Sequence, residues 1–249
     1  VSSQPKQLTG KIDPQKIKLI DIPRIHPDIL SAFQALGDCT CAVSDALDEL
    51  GIAGAIPGSI LKCIIPGRHL VGIALTLKNV ERQGDFMEIV KAKKNLMAEA
   101  ECHNLAQHGD VLVIQGVQTA SNMGGVGGRM GKRQGELGAI VDGVVRDVAD
   151  FKAVDYPIWS KGVTPITGKW RVQSEEINGP IYICDVLVNP GDLVVADESG
   201  VCFVPRKHVE AVLLLAQKKA RLEDDLSRKI LAGLSISEIV NPINNEKLR

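Results

Sequence analysis

The sequence predicts an α/β fold with helical extensions at both ends. Short, fully apolar runs at 111–114, 138–141 and 193–196 have the length and β-branched content of buried strands. Segments of helical period, at 85–107 and 148–154, lie between strand runs, the alternation that builds layered α/β domains. After Pro205 comes a long amphipathic stretch, with Val209, Val212, Leu213, Ala216, Ala220, Leu226 and Ile230 on one stripe and Gly233 at its end.

Each element has a local reason. Residues 1–25 are polar and broken by prolines, and read as an arm. Ile29, Leu30, Phe33 and Leu36 recur at helical spacing and stop at Gly37; a second helix runs from Ser44 to Leu50, capped by Thr40 or Ser44 and ended by Gly51. The β-rich runs 60–65 and 70–77 flank Pro66-Gly67, which predicts a strand–turn–strand unit. Residues 85–107 read as one helix, with Phe86, Ile89, Val90, Leu96, Met97, Ala100 and Leu105 as its inner stripe. Strand 111–114 leads into a glycine-rich stretch and then a basic helix near Met130. Strand 138–141, a helix at 148–154, and strands at 158–159, 180–188, 193–196 and 201–204 follow, before a helix over 206–233. Gly109-Asp110 and Gly191-Asp192 open two similar turns, each feeding a buried strand. No linker divides the chain, so residues 1–249 are expected to form one domain.

Composition removes several classes of function. The chain has 249 residues, of which 45% are hydrophobic, enough for a sizeable core. Lys and Arg number 29 against 30 Asp and Glu, so broad affinity for a polyanion has no electrostatic basis. Aromatic residues make up 3% and form no stacking cluster for nucleic acid. No apolar run reaches the ~20 residues that cross a bilayer. Val1–Lys6 show no charged segment followed by an apolar stretch, so no secretory signal is expected. Six scattered cysteines, mostly inside apolar runs, point to reduced thiols and a cytoplasmic location. The histidines are scattered and Cys39-Thr40-Cys41 has no second pair, so neither a histidine metal site nor a structural zinc is expected.

Two segments could carry chemistry. The run Gly124-Gly125-Val126-Gly127-Gly128-Arg129-Met130-Gly131-Lys132 fails the spacing of both a P-loop and a dinucleotide fingerprint. Glycines ahead of a helix can still offer backbone N–H groups to a small anion such as a carboxylate, and a tight packing crossing explains them equally well. The second segment is Asp142-Gly143-Val144-Val145-Arg146-Asp147, after a buried strand. Strand ends in α/β folds collect ligands. Arg146 beside Asp147 offers a carboxylate clamp next to a hard-cation ligand, or else a structural ion-pair network.

The segment 135–148, Gly-Glu-Leu-Gly-Ala-Ile-Val-Asp-Gly-Val-Val-Arg-Asp-Val, resembles the signature of the RraA-like family. Further likenesses lie at Ser44-Asp45-Ala46-Leu47, Pro66-Gly67, Gly162-Val163-Thr164-Pro165, Asn189-Pro190-Gly191-Asp192 and Asp197-Glu198-Ser199-Gly200-Val201, so the match spans about Thr40 to Gly233. The family includes divalent-metal 4-hydroxy-4-methyl-2-oxoglutarate aldolases that also decarboxylate oxaloacetate. It also includes regulators of ribonuclease E, and proteins misnamed as menaquinone methyltransferases.

The resemblance implies a three-layer ββα sandwich of the swivelling-domain type, assembled as a homotrimer or homohexamer with sites between subunits. It implies Mg²⁺ or Mn²⁺ on Asp147. Arg146 would hold the carboxylate and enolate oxygen of a 2-oxo acid, and the backbone of Gly124, Gly125, Val126 and Gly127 would meet the same ligand. Glu223 or Asp224 of a neighbouring subunit would reach the metal's waters. Asp142 is a third candidate at the site, bracing Arg146 or the loop rather than reacting. The expected function is a metal-dependent lyase working by retro-aldol cleavage or decarboxylation. The rivals are a non-catalytic regulator of a protein partner and a metal enzyme acting on another small carboxylate. The family's aldolases carry an acid and then two leucines in the loop where this chain has Gly125, Val126 and Gly127, which leaves the loop without its carboxylate.

Overall fold

The computed structural model describes residues 6–37 and 39–239. After a 3₁₀ turn at Pro14–Lys16 come α1 (Pro27–Gln34), α2 (Cys39–Glu49), β1 (Ala55–Pro57), β2 (Lys62–Cys63) and β3 (Leu70–Glu81). Next are α3 (Phe86–Ala92), α4 (Glu99–Leu105), β4 (Asp110–Gln115), α5 (Gly125–Gln134), β5 (Gly138–Val145) and α6 (Val148–Ala153). The chain continues through β6 (Ile158–Val163), β7 (Val172–Ile177), β8 (Ile181–Ile183), β9 (Val186–Val188), β10 (Leu193–Ala196) and β11 (Gly200–Val204). It closes with α7 (Val209–Leu231) and α8 (Ile236–Ile239).

Among the described residues nine strands share one mixed sheet, ordered β1-β11-β10-β3-β4-β5-β6-β2, with β7 also paired to β3. Its centre, β3-β4-β5-β6, is parallel, and β10, β11, β1, β2 and β7 join antiparallel. Strand alternation sorts the core into two faces. Leu112 and Ile114 of β4 point to the face covered by helices, where they join Phe33, Leu47, Phe151 and Val212. Val111 and Val113 point to the other face, against the small hairpin β8-β9 through Ile181, Ile183 and Val188. The fold is thus α/β, with a helical layer, a central sheet and a second β layer. This double cover explains why β4 and β5 read as unbroken apolar runs.

Several expectations change. Pro66-Gly67 does turn the chain, with Gly67 at φ +70°, but the strands on either side do not pair. β2 joins β6 at one edge, while β3 lies in the sheet's interior. The segment 85–107 is two helices, because α3 is capped by Lys93, whose left-handed φ of +52° opens a polar run. The expected strand 180–188 folds back on itself through Cys184 and Asp185, both at positive φ. A 3₁₀ turn at Arg206–His208 precedes α7, whose stripe packs through Val209, Val212 and Ala216. The stripe then leaves the body, so Ile230 is exposed. The polar arm is anchored: Ile17, Ile22 and Ile25 are buried, Thr9 bonds Glu101, and Arg24 pairs with Asp110.

Candidate active site

Everything at the site follows from how β5 ends. The β5–β6 register slips between Val141 and Val144, and such a bulge re-aims the residues after it. Arg146 is tied back by its N–H to the Met123 carbonyl (3.2 Å). Asp147 is the N-cap of α6 and stands at φ +62°, a left-handed conformation that costs about 1 kcal/mol or more in a non-glycine residue. Strain of this kind persists where the surroundings impose it, and functional sites are where it gathers. Here it turns the Asp147 carboxylate toward the start of α5: Oδ2 accepts the Gly125 N–H at 3.1 Å and lies 3.3 Å from Arg146 Nε. Both side chains remain 39% exposed, so neither is consumed by the core.

The glycine-rich run is not a loop ahead of a helix; it is the first two turns of α5. Space decides its composition. A Cβ on Gly128 would stand 2.6 Å from the Phe151 ring, and one on Gly131 2.4 Å from Glu136 Oε2. A Cβ on Gly124 would fall 2.7 Å from Asp147 Oδ2. Close packing therefore explains most of these glycines. The anion-binding reading survives only at the helix start, where Val126 and Gly127 have first-turn N–H groups without an intrahelical acceptor. The loop before α5 is held by Asn122, fully buried, which accepts from Val117 N–H (2.9 Å) and donates to the Val117 carbonyl (2.8 Å).

Position 125 explains itself. A Cβ there would lie 2.2 Å from Asp150 Oδ2 and 2.4 Å from Asp150 Cβ. Asp150, one turn into α6, is fixed by Arg129 at 2.8 Å. The carboxylate missing from position 125 is therefore replaced in space by one from position 150.

Gly124, Val126, Gly127, Arg146 and Asp147 line one polar cavity of about 150 Å³. Asp142 does not join them. It sits within the bulge, paired with Lys161 (2.5 Å) and accepting the Cys184 N–H (2.7 Å). It braces the β8-β9 turn rather than Arg146. Glu223 and Asp224 lie on the exposed outer part of α7 and do not line this cavity within the chain. A larger cleft of about 400 Å³ between α2, β1 and β11 has no basic side chain in its lining.

Two residues at the site escaped the sequence reading. Glu99, the first residue of α4, lines the cavity, and its Oε2 is shut off from solvent with no hydrogen-bond partner. Burial pushes its carboxyl up to about 7; His103 and Arg146 pull it down and Asp147 pushes it up. One turn on, His103 is 1% exposed, and its Nε2 is likewise unpartnered beneath Gly127. Its Nδ1 lies 2.8 Å from Glu136 Oε1, and the Tyr156 hydroxyl donates to Glu136 Oε2 at 2.6 Å. Burial, and then Glu136, raises the Tyr156 hydroxyl well above its ordinary value. The available signal was Glu99-x-x-x-His103, an acid and a base four apart on one helix face.

Among the described residues no group of three or more His, Cys, Asp or Glu side chains could cage a metal ion. What the site offers is one half-exposed carboxylate, Asp147, open to water. That fits a hard cation such as Mg²⁺ or Mn²⁺, which keeps most of its water and takes one or two carboxylates, and it does not fit zinc.

The family model Aldolase/RraA, of the RraA-like group, matches residues 40–203. A Halalkalibacterium halodurans protein named "Putative 4-hydroxy-4-methyl-2-oxoglutarate aldolase" is 33% identical over 205 residues, covering 82% of this chain and 89% of that one. An uncharacterised Pseudomonas syringae protein of known structure is 27% identical, with a TM-score of 0.73 over 87% of this chain and 98% of its own. Streptomyces coelicolor RraAS2, described as an unusual member of the RNase ES inhibitor RraA protein family, is 26% identical, with a TM-score of 0.70 over 84% and 99%.

Proposed function

The chain belongs to the RraA-like family, and from that membership we propose that it is a carbon–carbon lyase of small 2-oxo acids, working through a pyruvate enolate. The supporting observation is the Arg146–Asp147 pair, held by a strained backbone at the mouth of a polar cavity beside the start of α5. The whole chain is read as one domain around this site.

Each residue has a task that its position supports. The Arg146 guanidinium, half exposed and tethered through its backbone, presents a planar fork to the substrate carboxylate and to the oxygen where charge grows. The N–H groups of Val126 and Gly127 add a second set of donors, and the α5 dipole favours negative charge there. Asp147 would hold Mg²⁺ or Mn²⁺. When bound, such an ion polarises the keto group and offsets the negative charge that develops as the C–C bond breaks. Oxaloacetate decarboxylation needs only this enolate stabilisation. Retro-aldol cleavage of 4-hydroxy-4-methyl-2-oxoglutarate also needs a base for the hydroxyl proton. Asp150, filling the space over Gly125, is the nearest substitute for the acid the loop lacks.

The site is read as completed in a homotrimer or homohexamer, where Glu223 or Asp224 of another copy would approach it. Light scattering that gave a stable monomer would remove that part of the reading. A regulator role is kept as the second reading because the similar RraAS2 is described as belonging to an inhibitor family. The deciding experiment measures pyruvate release from oxaloacetate and from 4-hydroxy-4-methyl-2-oxoglutarate, with Mg²⁺ or Mn²⁺ and again with EDTA, for wild type and Asp147→Ala. Metal-dependent pyruvate that the variant fails to form supports the lyase. No pyruvate from either substrate, in a folded oligomer, would leave the regulator.

A further inference from the structure

An enolate product still has to be protonated at carbon, and Arg146, the α5 N–H groups and Asp147 are occupied with other tasks. Arg146 serves the substrate carboxylate and the growing oxyanion, the α5 N–H groups serve oxygen, and Asp147 would hold the cation. Glu99 is different. It enters the same cavity from α4, on another wall from Arg146 and Asp147, and its Oε2 is out of solvent with no partner inside the protein. A buried polar atom left unsatisfied costs about 1–3 kcal/mol, which is the mark of a group kept for a ligand.

We propose that Glu99 is the acid that protonates the enolate carbon, and that His103 is a positioning residue that acts through it. The proposal rests on the lyase reading. When the C–C bond to the leaving fragment breaks, its electron pair enters the enolate. The C=C pair then takes the proton from the Glu99 carboxyl, forming the new C–H bond, and the C–O bond returns to a ketone. Glu99 is left as a carboxylate and recovers a proton from water. No oxidant or other co-reactant is needed.

The surroundings suit this task. Burial raises the Glu99 carboxyl and so favours its protonated form, and a proton donor works best with its pKa near the working pH. The charged groups that face it are His103 on its own helix and Arg146 and Asp147 from the β5–α6 junction; Lys169 also lines the cavity. The His103 ring is held by Glu136, which is itself held by the Tyr156 hydroxyl.

The test follows two rates by proton NMR, with Mg²⁺ present. One is the exchange of pyruvate methyl protons in D₂O, which needs enolate protonation; the other is the loss of oxaloacetate in the first turnover with enzyme in excess, which needs only enolate formation. Glu99→Gln keeps the shape of the side chain. It should slow exchange about 100-fold or more, while oxaloacetate loss falls by no more than about 10-fold. His103→Gln should keep exchange but move its pH midpoint upward, since His103 pulls the Glu99 carboxyl down. Glu99→Ala, checked for folding by circular dichroism, should lose exchange as Glu99→Gln does. Exchange at the wild-type rate in both Glu99 variants would overturn the proposal, as would a wild type that consumes oxaloacetate without exchanging pyruvate. A wild type inactive in both assays would remove the lyase reading itself. Activity in wild type that Asp147→Ala loses keeps that reading, whatever the Glu99 variants show.

Discussion

The Asp150 carboxylate occupies the place that a side chain on Gly125 would fill, with its Oδ2 2.2 Å from the position of that residue's Cβ. One acid can stand beside the first turn of α5, and this chain supplies it from α6. Gly125→Asp should therefore clash and destabilise the protein by roughly 1–3 kcal/mol. Combining it with Asp150→Gly should recover part of that loss, because the two positions share one space and their effects cannot add. Urea melts of both singles and the double measure this. A Gly125→Asp protein as stable as wild type would show that the space is open.

Asp147 separates backbone from charge. Asn tolerates the left-handed region about as well as Asp, whereas Ala resists it. Asp147→Asn should thus keep near-wild-type stability, and Asp147→Ala should lose about 1 kcal/mol more. Metal-dependent pyruvate release should vanish in both. Denaturant melts next to the pyruvate assay read the two effects separately, and turnover in either variant would detach Asp147 from the cation.

Arg146→Lys preserves the charge and removes the fork. A point ammonium cannot pair with a carboxylate through two parallel bonds, so KM should rise and kcat fall, with kcat/KM down about 10- to 100-fold. Steady-state kinetics on oxaloacetate checks it; wild-type constants would take Arg146 out of the site.

The Glu99 carboxyl makes stability depend on pH in a stated direction. Its folded value of about 7 exceeds the ordinary 4.5, so the folded state holds the proton more tightly. Its contribution is present in full below about 4.5 and is lost as pH rises through about 7, on the order of 3 kcal/mol at most. Glu99→Gln carries no such proton. Relative to wild type it should gain stability between pH 5 and pH 8, read as a rising difference in Tm without added metal. A constant difference would mean that Glu99 titrates normally.

The strand and helix types were largely legible because burial on both faces writes a plain signal: residues 111–114 of β4, 138–141 of β5, and all of β10 and β11 are apolar. What stayed hidden depended on partners. β7, Val-Gln-Ser-Glu-Glu-Ile, alternates weakly and is a strand only because β3 is long enough to pair with it. β1 is three residues held by β11. Pro66-Gly67 marked a turn correctly, but a turn does not say which strand comes next in the sheet. The Arg146–Asp147 pair could be found from its adjacency after a buried strand. Glu99 could not, because its isolation exists only once α4 is packed on α5. Nor could Asp150, whose relation to Gly125 is a matter of space rather than spacing.

The sheet order also constrains how the chain reaches its native state. β3 sits between β10 and β4, and it must wait for β10 before its antiparallel side is covered. Ala55 of β1 finds its partner only when Cys202 arrives, and β2 waits for β6. Sheets closed by such distant pairings form slowly. A ribosome would therefore expose most of this polypeptide with open strand edges, and β11, the last strand among the described residues, is the one that seals β1 and β10 together.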